Sequence, residues 1–584
     1  MDAETKICQN CKNEFVIEPD DFAFYEKIKV PPPTWCPECR MIRRMTFRNW
    51  RRLFRRKDDY SGREIFSGIP PQAPVKVYEH DYWWSDKWDP MRYGKEYDFS
   101  KPFFEQFFEL LKTVPLPSKS VINMVNSEFS DQAGNMKNSY LCFDGNNIED
   151  SAYLVKGLYM NDCFDMTESA HDELSYEGVM IDEGYRVFYS VDCENCSDVW
   201  FSKDLVGCSD CLGCVNLRNR SYYIFNQPYG KEQYFEELRK INLNQFQVIQ
   251  DLRVKAEKHW IKYPVKFMRG SRNINSSGEH IQDTKNVKYC YSIHDGENLK
   301  YCQLLWDKAV DSYDYTNWGM RASLIYESVV CGMQVSNIRF SFDCWPSSGD
   351  LEYCINCHSS SNLFGCVGLK KKEYCIFNKQ YSKEEYSDLR NKIIAHMNSA
   401  PYLDSKGRIY KYGEFFPSEL SLFAYNETVA NDYFPLTKEE ALGRGYRWQD
   451  PEAKEFETTL DARNLPGIDD ATENILKEVI KCASCNKAYR IIQTEFVFLK
   501  KNNLPLPHKC PDCRFKYRFR FVNPPRFWHR RCTCGGVKSD NGVYANQTAH
   551  FHGSIHCPNE FETSYAPERP EIVYCEDCYQ VEVV

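Results

Sequence analysis

A five-residue pattern recurs about every 12 residues through the middle of this 584-residue chain: Asn or Asp, a small or apolar residue, any residue, an aromatic and often Cys. The clearest examples are NVKYC from Asn286, NLKYC from Asn298, DSYDY from Asp311, NIRFS from Asn337, DLEYC from Asp350 and NLFGC from Asn362. An earlier series runs NSYLC from Asn138, DSAYL from Asp150, DCFDM from Asp162, DVWFS from Asp198 and DCLGC from Asp210. Matching starts lie 148 to 152 residues apart, so the repeat block is itself duplicated. Short strands separated by turn residues at a fixed period predict a parallel β-solenoid, in which each rung buries its apolar positions against its neighbours. The rival is a pair of ordinary β-sandwiches, and the period leaves open whether one turn holds one rung or two. Both blocks end alike, in YYIFNQPYGKEQYFEELR and EYCIFNKQYSKEEYSDLR, where Ser382 and Glu385 predict a capping box on a helix that covers the open edge.

Twenty-eight cysteines would suit a secreted disulfide protein, but the C-x2-C pairs among them suit chelation of one metal ion better. Cys8-x2-Cys11 is followed after 24 residues by Cys36-x2-Cys39, and Cys482-x2-Cys485 after 24 residues by Cys510-x2-Cys513. Subtracting 474 also superposes Phe15 on Tyr489, Phe24 on Phe498, Lys27 on Lys501, Pro31 on Pro505, Pro33 on Pro507 and Phe47 on Phe521. Four thiolates satisfy tetrahedral Zn2+ and leave no open position, so each ion is expected to be structural.

The segment CQNCKNEFVIEPDDFAFYEKIKVPPPTWCPECR, with its C-x2-C, central F-Y-x-K and closing C-P-x-C-R, resembles the zinc-ribbon domain family of bacterial proteins. The second copy departs from it in having Leu499 where the first has Tyr25. The resemblance covers about 40 residues twice; it implies zinc binding and little about activity, and the whole layout is similar to multidomain bacterial zinc-ribbon proteins without an assigned reaction.

A third cluster closes the chain: Cys532-x-Cys534, Cys557 and Cys575-x2-Cys578, with His550, His552 and His556 between. The expected ligands are Cys532, Cys534, Cys575 and Cys578, with Cys557 or a histidine as substitute, which makes about three zinc ions per chain. The surplus donors leave open a catalytic ion with a water-bearing position.

The net charge of −9 hides a strong asymmetry. Lys27 to Lys57 and Lys500 to Lys538 each hold 11 Lys or Arg against one acid, so with +10 in each segment the remainder sums to −29. Ile42, Met45, Asn49/Trp50 and Leu53 fall at helical spacing beside Arg40, Arg44, Arg48, Arg51 and Arg55, predicting an arginine-faced helix. Planar guanidinium groups match phosphates, and Phe47, Trp50 and Phe54 could stack on bases, so these residues with Arg514 and Arg518 form the candidate nucleic-acid surface, for RNA above all. The plainer alternative is a solvated face, or one neutralised by the acidic body of the same chain. After the second module, basic residues alternate with Phe515, Tyr517, Phe519 and Phe521, which reads as a strand.

Cys193, Cys196, Cys208, Cys211 and Cys214 could hold an iron–sulfur cluster, but stacked small side chains at the rung position explain them better. No phosphate loop, dinucleotide fingerprint, nucleophile elbow or H-E-x-x-H occurs. The acid/base candidates, His171-Asp172-Glu173 and His294-Asp295-Gly296-Glu297, read as exposed turns.

The sequence therefore predicts a mainly β chain, a duplicated short-rung parallel β-solenoid flanked by small zinc-ribbon domains with short connecting helices. The first module and its basic helix span 1–62, an aromatic linker 63–122, the first block 123–244, a connector 245–273, the second block 274–398, a helical connector 399–480, the second module 481–526 and a C-terminal zinc-binding module 527–584. Without an apolar stretch of about 18 residues or a signal peptide, the expected location is the cytoplasm, with no membrane partner. The expected function is a scaffold that binds nucleic acid or a ribonucleoprotein through its basic ends. The alternatives are a scaffold for protein partners, acidic ones included, and a hydrolase acting along a solenoid groove.

Overall fold

The computed structural model of the chain describes residues 2–450 and 456–584, so part of the 399–480 connector lies outside the described residues. The repeat blocks are parallel β-solenoids. Phe143 pairs with Val155, Val155 with Thr167 and Val179 with Val191, so one 12-residue rung is one full turn. In the second block the step is 12 between Gly278 and Cys290 and again between Ser361 and Glu373. It is 13 between Gly296 and Ala309, Tyr313 and Tyr326, and Ser336 and Gly349.

The backbone explains the repeat. From Asn135 through Asn138, Leu141, Asp144, Asn147 and Asp150, every third residue has φ near +50°. Two extended residues and one left-handed residue make a side, and four such sides close a 12-residue coil. Asn and Asp tolerate the left-handed region better than other L-residues, which is why they open each rung. Stacked one turn apart, their side chains also bond to one another: Asn126 to Asn138 (3.1 Å), Asn138 to Asp150 (2.9 Å), Asn286 to Asn298 (3.1 Å) and Asn298 to Asp311 (2.8 Å).

Inside the coil, the second and fifth motif positions form the core, as with Val287, Cys290, Leu299, Cys302, Leu351 and Cys354. A serine or cysteine there also serves the backbone. Cys163 donates to the carbonyl of Asn161 (3.3 Å), and Ser151 donates to that of Glu149 (2.7 Å) while accepting the Cys163 N–H one turn later (3.0 Å). Small hydrogen-bonding side chains thus satisfy corner groups that strand pairing leaves over. Each block ends with a reversed strand, Gln227–Pro228 or Lys379–Gln380, and then a helix, Lys231–Arg239 or Lys383–Ser399. The second helix carries the expected Ser382/Glu385 capping box.

Two local expectations are corrected. The arginine-faced helix is only Pro37–Met45, and Phe54–Lys57 is a strand, so Arg48, Arg51 and Arg55 lie beyond the helix. The alternating segment after the second module is the helix Pro511–Phe519 rather than a strand. Its period-2 pattern also satisfies the i, i+4 rule, with Arg514 and Arg518 on one face and Phe515 and Phe519 on another. Among the described residues no helix is long and apolar enough to cross a membrane.

Candidate metal centres and the interface they anchor

The two terminal clusters assemble as expected. Cys8, Cys11, Cys36 and Cys39 bring their sulfurs within 4.8 Å of one another, and so do Cys482, Cys485, Cys510 and Cys513. A turn brings the first pair together, and the second pair opens a helix at Cys36 or Cys510. In both, the helix-capping N–H points at the first sulfur, Cys36 N to Cys8 Sγ and Cys510 N to Cys482 Sγ, each at 3.2 Å. Cys11 and Cys36 are 3.8 Å apart, and Cys485 and Cys510 3.6 Å. Those separations match the ~3.8 Å edge of a tetrahedron with metal–sulfur bonds of about 2.3 Å. The donor sets therefore fit a closed, structural ion.

The C-terminal module repeats the device, because Cys575 caps the helix Glu576–Val583 and sends its N–H to Cys532 Sγ at 3.2 Å. Its fourth partner is the expected substitute, Cys557, and not the first choice, Cys534. Cys532, Cys575 and Cys578 gather with Cys557, whose sulfur is 3.8 Å from that of Cys575, and not with Cys534. Cys532 follows the strand Trp528–Arg531 and accepts from Cys575 N, whereas the Cys534 sulfur is turned toward His550 Nδ1 at 3.6 Å and accepts from Asn546 Nδ2 at 3.2 Å. Cys534 instead meets His550, His552 and Cys578, again within 4.8 Å of one another.

The arginines have partners inside the molecule. Arg40, Arg44 and Arg48 are each 1% exposed or less, Arg514 is 3% and Arg518 2%, so none presents a face to phosphate. Arg40 and Arg44 both reach Asp314, at 2.7 and 3.1 Å, and Arg44 also reaches Glu327 at 3.0 Å. Arg43 bridges Glu327 and Glu414 at 2.8 and 2.9 Å. Arg48 reaches Asp144 at 2.7 Å, and Arg51 reaches Asp432 and Asp512 at 3.2 and 2.7 Å. Trp50 is buried against Tyr433 and Phe519 and donates its indole N–H to Asp432 (2.8 Å). Of the candidate nucleic-acid residues, Arg55 alone stands in solvent, 67% exposed beside Glu64. Burial by itself would weaken the Arg40 and Arg514 guanidinium groups, but Asp314 and Asp165 reverse this and hold both pKa values well above the usual arginine range.

These contacts form one interface made twice, with the modules exchanged. The helix of the first module docks on the second block and that of the second module on the first, while Arg48, beyond its helix, reaches back to the first block at Asp144. Arg514 and Arg518 both reach Asp165, at 2.8 and 2.6 Å, as Arg40 and Arg44 reach Asp314. Arg518 Nε donates to Thr167 Oγ1 at 3.3 Å, and Arg44 Nε to Thr316 Oγ1 at 3.2 Å. Phe498 lies 4.7 Å from Phe164, while Phe24 stacks 3.9 Å from Tyr313. Asp165 and Asp314, Thr167 and Thr316, and Phe164 and Tyr313 each lie 149 residues apart. No sequence signal joined these carboxylates to these arginines, because the partners are separated by 270 residues or more.

The remaining candidates resolve into scaffold. Cys193, Cys196, Cys208, Cys211 and Cys214 each donate to the carbonyl two residues earlier at 3.3–3.5 Å, as rung residues do. His171 is at an exposed corner 3.0 Å from Asp182, and His294 stacks on Trp306. A cavity of about 240 Å³ opens where Asp192, Lys203, Arg269, Arg569 and Glu571 converge, and its arginines pair with its acids, Arg269 with Asp192 and Arg569 with Glu571.

No family model matches the chain, and no curated protein matches it. Among solved structures it is similar to a putative acetyltransferase from Desulfovibrio desulfuricans G20, at 9% identity over 52% of this chain and 78% of that one, with a TM-score of 0.10, a likeness that carries no argument.

Proposed function

We propose that the chain is an interaction scaffold for protein partners, in which structural zinc holds small modules against two solenoid blocks. Zinc would be held by Cys8, Cys11, Cys36 and Cys39, by Cys482, Cys485, Cys510 and Cys513, and by Cys532, Cys557, Cys575 and Cys578. Bound there, it supplies a cross-link with no position left for substrate. One observation carries the choice of partner: the arginines that would have bound phosphate are spent on Asp314, Glu327, Asp144, Asp432 and Asp165. What stays available are the long edges of the coils, including the exposed Asn123–Asn135 and Asn275–Asn286 ladders.

The test is affinity purification of the intact chain from native lysate with and without nuclease, alongside RNA titration at rising salt. Partners that survive nuclease, with no salt-sensitive RNA binding, support the reading. Partners lost with nuclease, and an RNA affinity that falls steeply with salt as condensed counterions are released, would overturn it in favour of a ribonucleoprotein scaffold.

A further inference from the structure

We propose that the C-terminal module holds two zinc ions joined by the thiolate of Cys578, which rests on the zinc reading above and raises the content of the chain to four ions. Two donor sets meet there: Cys532, Cys557, Cys575 and Cys578, and Cys534, His550, His552 and Cys578. Each has four members, each spans no more than 4.8 Å, and the Cys578 sulfur belongs to both.

The histidines are set up as ligands rather than as filling. His550 directs Nε2 to Glu582 at 2.9 Å, which leaves Nδ1 facing Cys534 Sγ at 3.6 Å. His552 directs Nδ1 to the Ile555 carbonyl at 2.7 Å, which leaves Nε2 facing Cys578 Sγ at 3.3 Å. In each ring an acceptor takes the one N–H of the neutral imidazole, so the lone pair of the other nitrogen points into the sulfur cluster. That is the usual arrangement of a metal-binding histidine with its supporting carboxylate or carbonyl. The nitrogen–sulfur separations bracket the ~3.5 Å edge expected for mixed nitrogen and sulfur ligands on one tetrahedral ion.

Charge favours the shared sulfur. A single ion with four buried thiolates carries −2, and Cys534 is then left over beside two imidazoles. Two ions on five thiolates and two neutral imidazoles carry −1, which costs less in a buried site. The thiolates receive further compensation from N–H donors: Cys575 N on Cys532 Sγ (3.2 Å), Asn546 Nδ2 on Cys534 Sγ (3.2 Å) and Asn559 Nδ2 on Cys575 Sγ (3.4 Å). Both coordination spheres are complete, so the pair is a fastener tying the segment from His550 to His552 onto the helix Glu576–Val583.

The experiment is native mass spectrometry of the full chain with zinc, followed by exchange for 113Cd and NMR. Four ions are expected, with two of the four cadmium signals splitting each other through the common sulfur. The paired change His550→Ala with His552→Ala should remove one ion and abolish that splitting while the other three signals persist. Three ions in the unaltered chain, unchanged by the histidine substitutions, would overturn the proposal and leave a single four-thiolate ion in this module. Four ions without mutual splitting would overturn the bridge. Fewer than three would count against the terminal sites themselves, a separate failure.

Discussion

Arg526 grips Glu38 across 488 residues of chain through two hydrogen bonds of 2.5 and 2.6 Å, so that the second four-cysteine module holds the first. The grip is returned: Arg51 reaches Asp512, the 474-shifted counterpart of Glu38, at 2.7 Å. Glu38 and Asp512 are the lone acids of the two basic segments. Each acid meets an arginine of the other copy, which is the pattern of a two-fold interface written into one chain.

Because the buried pairs fix how module and block meet, removing one partner should cost far more than removing an exposed arginine. Arg514→Met leaves Asp165 with only Arg518, and Arg40→Met weakens the matching site at Asp314; each should lower stability by about 3–5 kcal/mol. Arg55→Met should fall within about 0.5 kcal/mol of the parent. Thermal and denaturant unfolding of the three variants checks this, and equal effects would contradict the exchanged docking.

Chelation should separate fasteners from coils. Stripping zinc from the intact chain is expected to open the two terminal modules to protease between Cys11 and Cys36 and between Cys485 and Cys510, while the strand signal in circular dichroism persists, since rungs are stabilised by stacking. Loss of the strand signal in step with the metal would mean that the coils also depend on it.

The rung position makes a sharper demand. Cys290 is fully buried, donates to the Lys288 carbonyl at 3.3 Å and accepts the Cys302 N–H at 3.3 Å. A serine does the same at Ser341, so Cys290→Ser should cost about 1 kcal/mol. Cys290→Asp puts an unpaired carboxylate into the stack and should cost more than about 3 kcal/mol. Unfolding midpoints that rank the two variants in the opposite order would show that the position is not interior.

His358 supplies a pH signature. Burial among Trp83, Trp84 and Trp345, helped by the Lys370 charge and only partly opposed by the hydrogen bond from Nδ1 to the Trp345 carbonyl at 2.5 Å, pushes its pKa down to about 3. The unfolded chain takes up that proton near pH 6.5 and the folded chain does not. Its contribution is therefore complete above about pH 6.5 and is lost as pH falls toward 3, at most about 1.4 kcal/mol per pH unit. Between pH 7.5 and 5, the midpoint of the parent should fall further than that of His358→Asn; parallel curves would remove His358 as the cause.

The coils were legible in the sequence because their geometry is local: a left-handed corner every third residue recruits Asn and Asp, and a buried corner recruits Ser and Cys. The terminal four-cysteine groups were legible for the same reason, since C-x2-C spacing is a turn. What long-range packing decides was not. The arginines advertised charge but not the direction they face, and Asp314 and Asp165 look like any other rung residues. Cys557 stood only as a substitute in the expected set because C-x-C looks like a chelating pair, and only the packed fold turns Cys534 away toward His550. Arg514 to Phe521 fits either period, and packing on Asp165 selected the helix.

The exchanged docking imposes an order on synthesis. Arg43 leaves the ribosome early, yet its carboxylates, Glu327 and Glu414, follow 284 and 371 residues later. At about 5–20 residues per second that is a wait of roughly 15–75 s. During it the cationic helix Pro37–Met45 has no seat, while the first block is already complete and carries Asp165, the counterpart of Asp314. A nascent chain of this design is exposed to a mistaken landing on the wrong block, and the differences between the two nearly identical seats, such as the 13-residue rungs that only the second block contains, are where discrimination between them must reside.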